Sequence, residues 1–193
     1  CGSPLATSEF EVAIRCENIV CPAQIHARLL HFASRQAMDI EGMGEVLVEQ
    51  LRAKGMVNTF ADVYRLDVLA LSGLERMGAK SAQNVVDEIE ASKQRPLHNF
   101  LFGLGIPHVG STAARLLARN FETIDQLASA TADQLTAIEG VGDVMAESII
   151  DFFANEENQH QIAEMRALGV ALPNPECKPA GAAAADGPLA GKT

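Results

Sequence analysis

One five-residue pattern, repeated four times, constrains this chain more than any other feature. An apolar residue, a variable one, a small one, an apolar one and glycine recur as IEGMG at 40–44, LERMG at 74–78, IPHVG at 106–110 and IEGVG at 138–142. The closing glycines are 34, 32 and 32 residues apart. A period of this length marks a supersecondary unit that cannot bury its apolar face alone and must stack on its neighbours. Four positions beyond each closing glycine stand Val48, Ala82, Ala114 and Ala146, and seven beyond stand Leu51, Val85, Leu117 and Ile149. Those offsets place a small and a larger apolar side chain on one face of a following helix. The unit is a short helix, a glycine-containing hairpin and a second helix. Four such units predict a mainly α chain arranged as two pairs, the first with the second and the third with the fourth.

Glycine at the end of the pattern has a backbone reason. It begins a helix that leaves a tight turn, so the sequence predicts unusual dihedrals there and a close approach by an opposing helix or a ligand. The first N–H groups of that helix lack intrahelical acceptors and sit at the positive end of the helix dipole, which suits a phosphate oxygen. The same glycines also serve a plain helical-repeat scaffold that needs only tight turns. Candidate backbone contacts are Gly42 and Gly44 in the first hairpin, Gly78 in the second, Gly110 in the third, and Gly140 and Gly142 in the fourth. The hairpins differ in their side chains. Arg76 takes the small position of the second, with Lys80 and Ser81 close behind; His108 takes it in the third, with Ser111 and Thr112 following. Their hydroxyls and cations are phosphate donors by type. Arg115 and Arg119, one helical turn apart, read either as a reinforcing backbone contact or as a solvated helix face.

Charge separates the regions. The chain carries 15 Lys plus Arg against 25 Asp plus Glu, a formal charge of -10, which excludes a protein that coats nucleic acid by bulk positive charge. Residues 72–119 hold 6 basic and 4 acidic groups, whereas residues 120–170 hold 1 and 10. A polyanion therefore meets least repulsion at the second and third hairpins. Asp143, Glu147 and Asp151 form a stripe behind the fourth that repels phosphate, and that suits a helix cap, solvent or a protein partner. Aromatic residues are 5% with no Trp, so stacking platforms for single strands are not expected. No apolar run approaches the length of a membrane span and no signal peptide is visible, making a cytoplasmic setting with no membrane partner the default.

Cys1, Cys16 and Cys21 stand near Gly2, Pro4 and Pro22, with a short strand expected within FEVAIRC. Thiolates from two loops close around Zn2+ in such a ribbon, with His26 and His31 as alternative ligands on the helix that follows; cysteine packing without metal is the other reading. Residues 173–193, rich in Pro, Ala and Gly, read as a flexible linker or tail.

Taken in order, CGSPL, RCENIVCPAQ, DIEGMG, LERMGAKSAQN, GLGIPHVG and IEGVG resemble successive segments of the bacterial NAD-dependent DNA ligases over about residues 1 to 170. The resemblance implies most of a four-cysteine zinc finger at 1–25, in which Cys1, Cys16 and Cys21 are ligands and a first cysteine lies upstream. It implies a tandem helix-hairpin-helix domain at 26–172, and at 173–193 the approach to a downstream BRCT domain. Where that family commonly has Arg before the histidine of the third hairpin, Pro107 stands here. The family seals 5'-phosphate to 3'-hydroxyl nicks in duplex DNA during replication and repair, using NAD+ and Mg2+. Its adenylation and OB-fold domains lie upstream, and no KxDG segment carrying the adenylated lysine occurs here. The glycines also lack the strand-turn-helix context of a Rossmann NAD pocket. The expected role is to position nicked double-stranded DNA, nucleoid-associated when bound, with no catalytic residue or NAD site of its own. A non-catalytic repair adaptor and a protein-interaction scaffold are the alternatives.

Overall fold

The computed structural model describes residues 1, 2, 5–7, 14–16 and 18–177. Two strands, β1 (Leu5–Thr7) and β2 (Ile14–Cys16), pair antiparallel with Leu5 opposite Cys16. Eleven helices follow among the described residues: α1 (Ile25–Ala33), α2 (Glu45–Ala53), α3 (Phe60–Val63), α4 (Val68–Ser72), α5 (Ala79–Ser92), α6 (Leu97–Gly103), α7 (Ser111–Asn120), α8 (Ile124–Ala128), α9 (Ala132–Thr136), α10 (Asp143–Ala154) and α11 (Glu156–Ala167). The fold is mainly helical with a small two-stranded appendage, as the repeats and cysteines predict. Much of the expected tail, residues 178–193, lies outside the described residues.

Each hairpin separates two helices: α1 from α2, α4 from α5, α6 from α7 and α9 from α10. The apolar positions four and seven beyond each closing glycine are all buried, from Val48 and Leu51 to Ala146 and Ile149. In α5 the stripe Ala82, Val85, Ile89 follows the three-then-four spacing of a single core-facing side. That helix stops short of Pro96, since the residue before a proline is steered away from the helical region.

The units pair as expected, and the contacts explain how. A Cβ placed on Gly42 of the first hairpin would lie 2.9 Å from Val85 in α5, and one on Gly140 of the fourth 3.3 Å from Leu116 in α7. The Gln50 side chain on α2 brackets the backbone of Glu75 in the second hairpin, accepting from its N–H at 2.9 Å and donating to its carbonyl at 3.3 Å. The two pairs share one apolar core. Phe32 of α1 stacks on Phe60 with ring centroids 4.6 Å apart and meets Phe100 of α6 edge-on. His31 is hydrogen-bonded to the Phe102 carbonyl at 2.8 Å, and Arg65 joins Glu164 of α11 at 2.9 Å.

A buried side-chain amide helps tie in the cysteine-bearing segment. Asn158 of α11, fully buried, accepts from the Ile19 N–H at 3.2 Å and donates to the Phe152 carbonyl at 3.0 Å. This link spans 139 residues. It couples the end of the finger to the last helix of the body.

Candidate nucleic-acid interface and metal centre

The helix starts sort into three kinds: two, α1 after Gln24 and α6 after Pro96, lack a side-chain cap without beginning at glycine. Helices α3, α4, α8, α9 and α11 are capped by side chains of Thr59, Asp67, Thr123, Thr131 and Asn155, each accepting from a first-turn N–H. Helices α2, α5, α7 and α10, the four that follow the repeated hairpins, start instead at Gly44, Gly78, Gly110 and Gly142 with no side-chain cap. All four glycines are exposed, and a Cβ built on any of them meets nothing within 4 Å. A Ser, Thr, Asp or Asn cap is the ordinary solution at a helix start. The chain uses it elsewhere and leaves these four first turns open.

This arrangement corrects one expectation. The closing glycines do not adopt unusual dihedrals: Gly110 has φ -79° and ψ 179°, extended backbone open to other residues, and the other three are similar. The left-handed residue is two positions earlier, with φ of 86° at Gly42, 60° at Arg76, 64° at His108 and 97° at Gly140. Glycine takes that conformation freely in the first and fourth hairpins. In the second and third, Arg76 and His108 hold it at a cost of about 1–2 kcal/mol for an L-residue. The closing glycine is thus explained by room in front of the helix, and the earlier position by the turn itself.

Arg76, Lys80, Ser81, His108, Ser111 and Thr112 are all exposed around these turns. The Arg76 side chain is 91% exposed and only loosely associated with Glu75, at 3.8 Å. A cleft between the first and second hairpins is lined by Gly42, Arg76, Ser81 and Asn84, so the fold brings residues of two repeats together. A second cleft lies beside the third hairpin, lined by His98, Asn99, Ser111, Thr112 and Arg115. Behind the fourth hairpin, Asp143, Glu147 and Asp151 are exposed along α10.

Arg115 and Arg119 are neither an open cationic pair nor a merely solvated face. Both Nε atoms reach the carboxylate of Glu176, at 3.1 and 3.4 Å, one to each oxygen. His98 stands 3.5 Å from the same group through Nδ1 and receives an Arg115 N–H on Nε2 at 3.2 Å. Burial lowers the His98 imidazole's pKa; Glu176 opposes that shift, and Arg115, Arg95 and Arg119 reinforce it. Sequence reasoning missed Glu176 and His98. The available signal was a lone acidic residue, Glu176, just past the last repeat in a Pro-rich stretch.

At the other end, the sulfur atoms of Cys1, Cys16 and Cys21 lie within 4.8 Å of one another. Cys1 Sγ and Cys16 Sγ are 3.4 Å apart, far beyond a disulfide bond of about 2.05 Å and near the roughly 3.8 Å edge of a tetrahedron with 2.3 Å metal–sulfur bonds. The Ala23 amide lowers the Cys21 thiol's pKa, favouring the thiolate. Arg28 donates to the Cys16 carbonyl at 3.2 Å and lends positive charge nearby. The residues present fit a soft divalent cation with one position left for a further ligand. Among the described residues that cluster excludes both histidine alternatives: His26 pairs with Glu45 at 2.8 Å and His31 with Phe102.

Family models match the repeats on both sides of the molecule: a SAM-like helix-hairpin-helix tandem covers residues 34–91 and a helix-hairpin-helix motif covers 99–162. The whole chain aligns with DNA ligases of Desulfosudis oleivorans (47% identity over 194 residues), Symbiobacterium thermophilum (48% over 195) and Bacillus licheniformis (45% over 193). The chain corresponds to the helix-hairpin-helix region of DNA ligases. It spans all of its own length in these alignments but only 28–29% of the length of those relatives. Among the described residues no helix is long and apolar enough to cross a membrane.

Proposed function

We propose that this helix-hairpin-helix region binds the sugar-phosphate backbone of duplex DNA and positions nicked DNA for an NAD-dependent ligase. The observation that carries the reading is the set of four glycine-started, exposed, uncapped helix N-termini. Phosphate oxygens supply the acceptors that side chains supply at the five capped helix starts. Such contacts need little net positive charge, which reconciles DNA binding with a formal charge of -10. The second and third hairpins carry the main contacts, through Gly78, Lys80 and Ser81 and through Gly110, Ser111 and Thr112, with Arg76 and His108 at the turn tips. Gly42 and Gly44 assist from the first hairpin, and Gly140 and Gly142 from the fourth where the neighbouring acids permit. Contacts of this kind read shape rather than sequence.

The parent enzyme, in this reading, joins 5'-phosphate and 3'-hydroxyl ends in replication and repair. Upstream adenylation and OB-fold domains use NAD+ and Mg2+ for the nucleotidyl transfers. Cys1, Cys16 and Cys21, with an upstream cysteine, hold a structural Zn2+, which cross-links the finger when bound. Residues 1–25 and 26–172 act as finger and DNA-binding body, in the cytoplasm and on the nucleoid. The acidic fourth hairpin supports a second reading, a protein-interaction scaffold.

The test is affinity for nicked and intact duplexes of one sequence across a salt series. The reading requires duplex binding with a steep salt dependence and little sequence preference, weakened by Lys80→Ala. Binding that ignores Lys80→Ala but collapses on Asp143→Ala would instead favour the scaffold.

A further inference from the structure

The basic cluster on α6 and α7 already holds an anion, and the chain supplies it. Left-handed Gly169, with φ 98°, ends α11 and turns the chain back across the body. The Ala171 N–H then donates to the Lys93 carbonyl at 2.9 Å, and the Leu97 N–H to the Pro173 carbonyl at 2.9 Å. Asn174 donates its side-chain amide to the carbonyls of Ala118, Phe121 and Glu122 at the end of α7, at 2.8, 2.8 and 3.1 Å. These bonds bring residues 171–176, partly within the stretch read from sequence as a tail, to the side of α7. There Glu176, only 22% exposed, lies against Arg115, Arg119 and His98. A carboxylate touching two guanidinium groups through separate oxygens makes the contact a phosphate would make. It sits as the counter-ion of both guanidinium groups, within 3.1 and 3.4 Å of their Nε atoms, where an external phosphate would otherwise sit.

We propose that Glu176 is an internal phosphate surrogate, an autoinhibitory latch that holds Arg115 and Arg119 back from an external phosphate beside the third hairpin. Its identification of that phosphate as part of a DNA backbone rests on the function proposed above; its occupation of an anion site does not. Duplex binding at the third hairpin then requires the carboxylate to yield, and the affinity of this face is set by that exchange. The arginines are about half exposed, so an incoming anion reaches them without unfolding the helix.

The test uses the whole chain and two probes. Inorganic phosphate is titrated while the Nε–H resonances of Arg115 and Arg119 are followed by NMR in the wild type and in Glu176→Gln, which keeps the shape and removes the charge. The latch requires half-saturation about twofold to fivefold lower in the variant, a shift of the size expected when one competing ion pair is removed. Equal half-saturation, or no response in either protein, overturns it. Asn174→Ala, which loosens the segment without altering charge, must move the response in the same direction; an opposite shift overturns the latch. Circular dichroism and melting confirm the fold of both variants.

The second probe is nicked duplex. Glu176→Gln is expected to bind about threefold to tenfold more tightly at low salt, with a salt slope steeper by about 0.9 for each phosphate newly engaged. Weaker duplex binding would overturn the latch and make Glu176 a support for the arginines. A phosphate response with no change in duplex affinity leaves the anion site standing and refutes its assignment to DNA. Loss of the phosphate effect alone, with duplex binding still sensitive to Lys80→Ala, refutes the latch and spares the DNA reading.

Discussion

Gly110→Asp separates fold from function because its two effects have opposite signs. Gly110 is extended, with φ -79° and ψ 179°, and a Cβ there meets nothing within 4 Å, so the substitution meets no steric penalty. Aspartate is a good N-cap and complements the helix dipole. Replacing glycine should stabilise the chain by about 0.5 kcal/mol, the sum of a few tenths for the cap and a similar dipole contribution. For a body of this size that raises the melting temperature by about 1–2 °C. Duplex binding moves the other way, because the carboxylate takes the first-turn donors and adds negative charge where a phosphate docks. Losing one charge-assisted contact costs about 1.5–3 kcal/mol, roughly tenfold to over a hundredfold in affinity. Thermal melts and fluorescence anisotropy on nicked duplex measure the two effects in the same preparations. Gly142→Asp is the internal comparison, since exposed Asp143 already follows it and little affinity remains to lose. A Gly110→Asp chain that melts higher and binds duplex as well as the wild type would refute phosphate docking at α7.

The other predictions address the turn, the finger and the core. Arg76→Gly should relieve left-handed strain and leave the chain as stable as before or up to about 1 kcal/mol more stable, while weakening duplex binding; a destabilised variant in chemical denaturation would count against the strain argument. Asn158→Ala strands the Ile19 N–H and the Phe152 carbonyl, costing about 2–4 kcal/mol, so an unchanged denaturation midpoint would contradict its bridging role. A chain extended upstream to restore a fourth cysteine should contain about one zinc per molecule, and a folded, extended, zinc-free product would reject the metal assignment. His98 supplies a pH signature. Its pKa lies below the ordinary 6.5 in the folded state, chiefly through burial, so its contribution to stability is complete above pH 6.5 and is lost as pH falls through the lowered value. His98→Asn should flatten that part of the stability profile, and an identical slope in both proteins would contradict it.

The repeat was legible because it is a local property of the chain. A glycine at a 32- to 34-residue spacing, with apolar residues four and seven positions later, fixes a helix start and its buried face whatever else the chain does. The three cysteines were legible as candidate ligands by type, and their convergence follows from a short antiparallel ribbon. Which of the two pattern positions carries the left-handed backbone was not legible, since glycine is compatible with either role. Arg76 and His108 pointed the wrong way, because residues with a Cβ occupy the strained position in two hairpins, while the closing residue is glycine in all four. The partners of Arg115 and Arg119 were beyond reach for a different reason. Spacing along α7 puts the arginines on one face but says nothing about a carboxylate 57 residues beyond Arg119. Glu176 arrives there only because Gly169 reverses the chain and Asn174 binds the end of α7. Asn158 and Ile19 meet for the same reason, across 139 residues that only the packed core brings together. Local backbone geometry and helix periodicity are written in the order of residues; the pairing of charges and amides far apart in the chain is decided by how the helices close on one another.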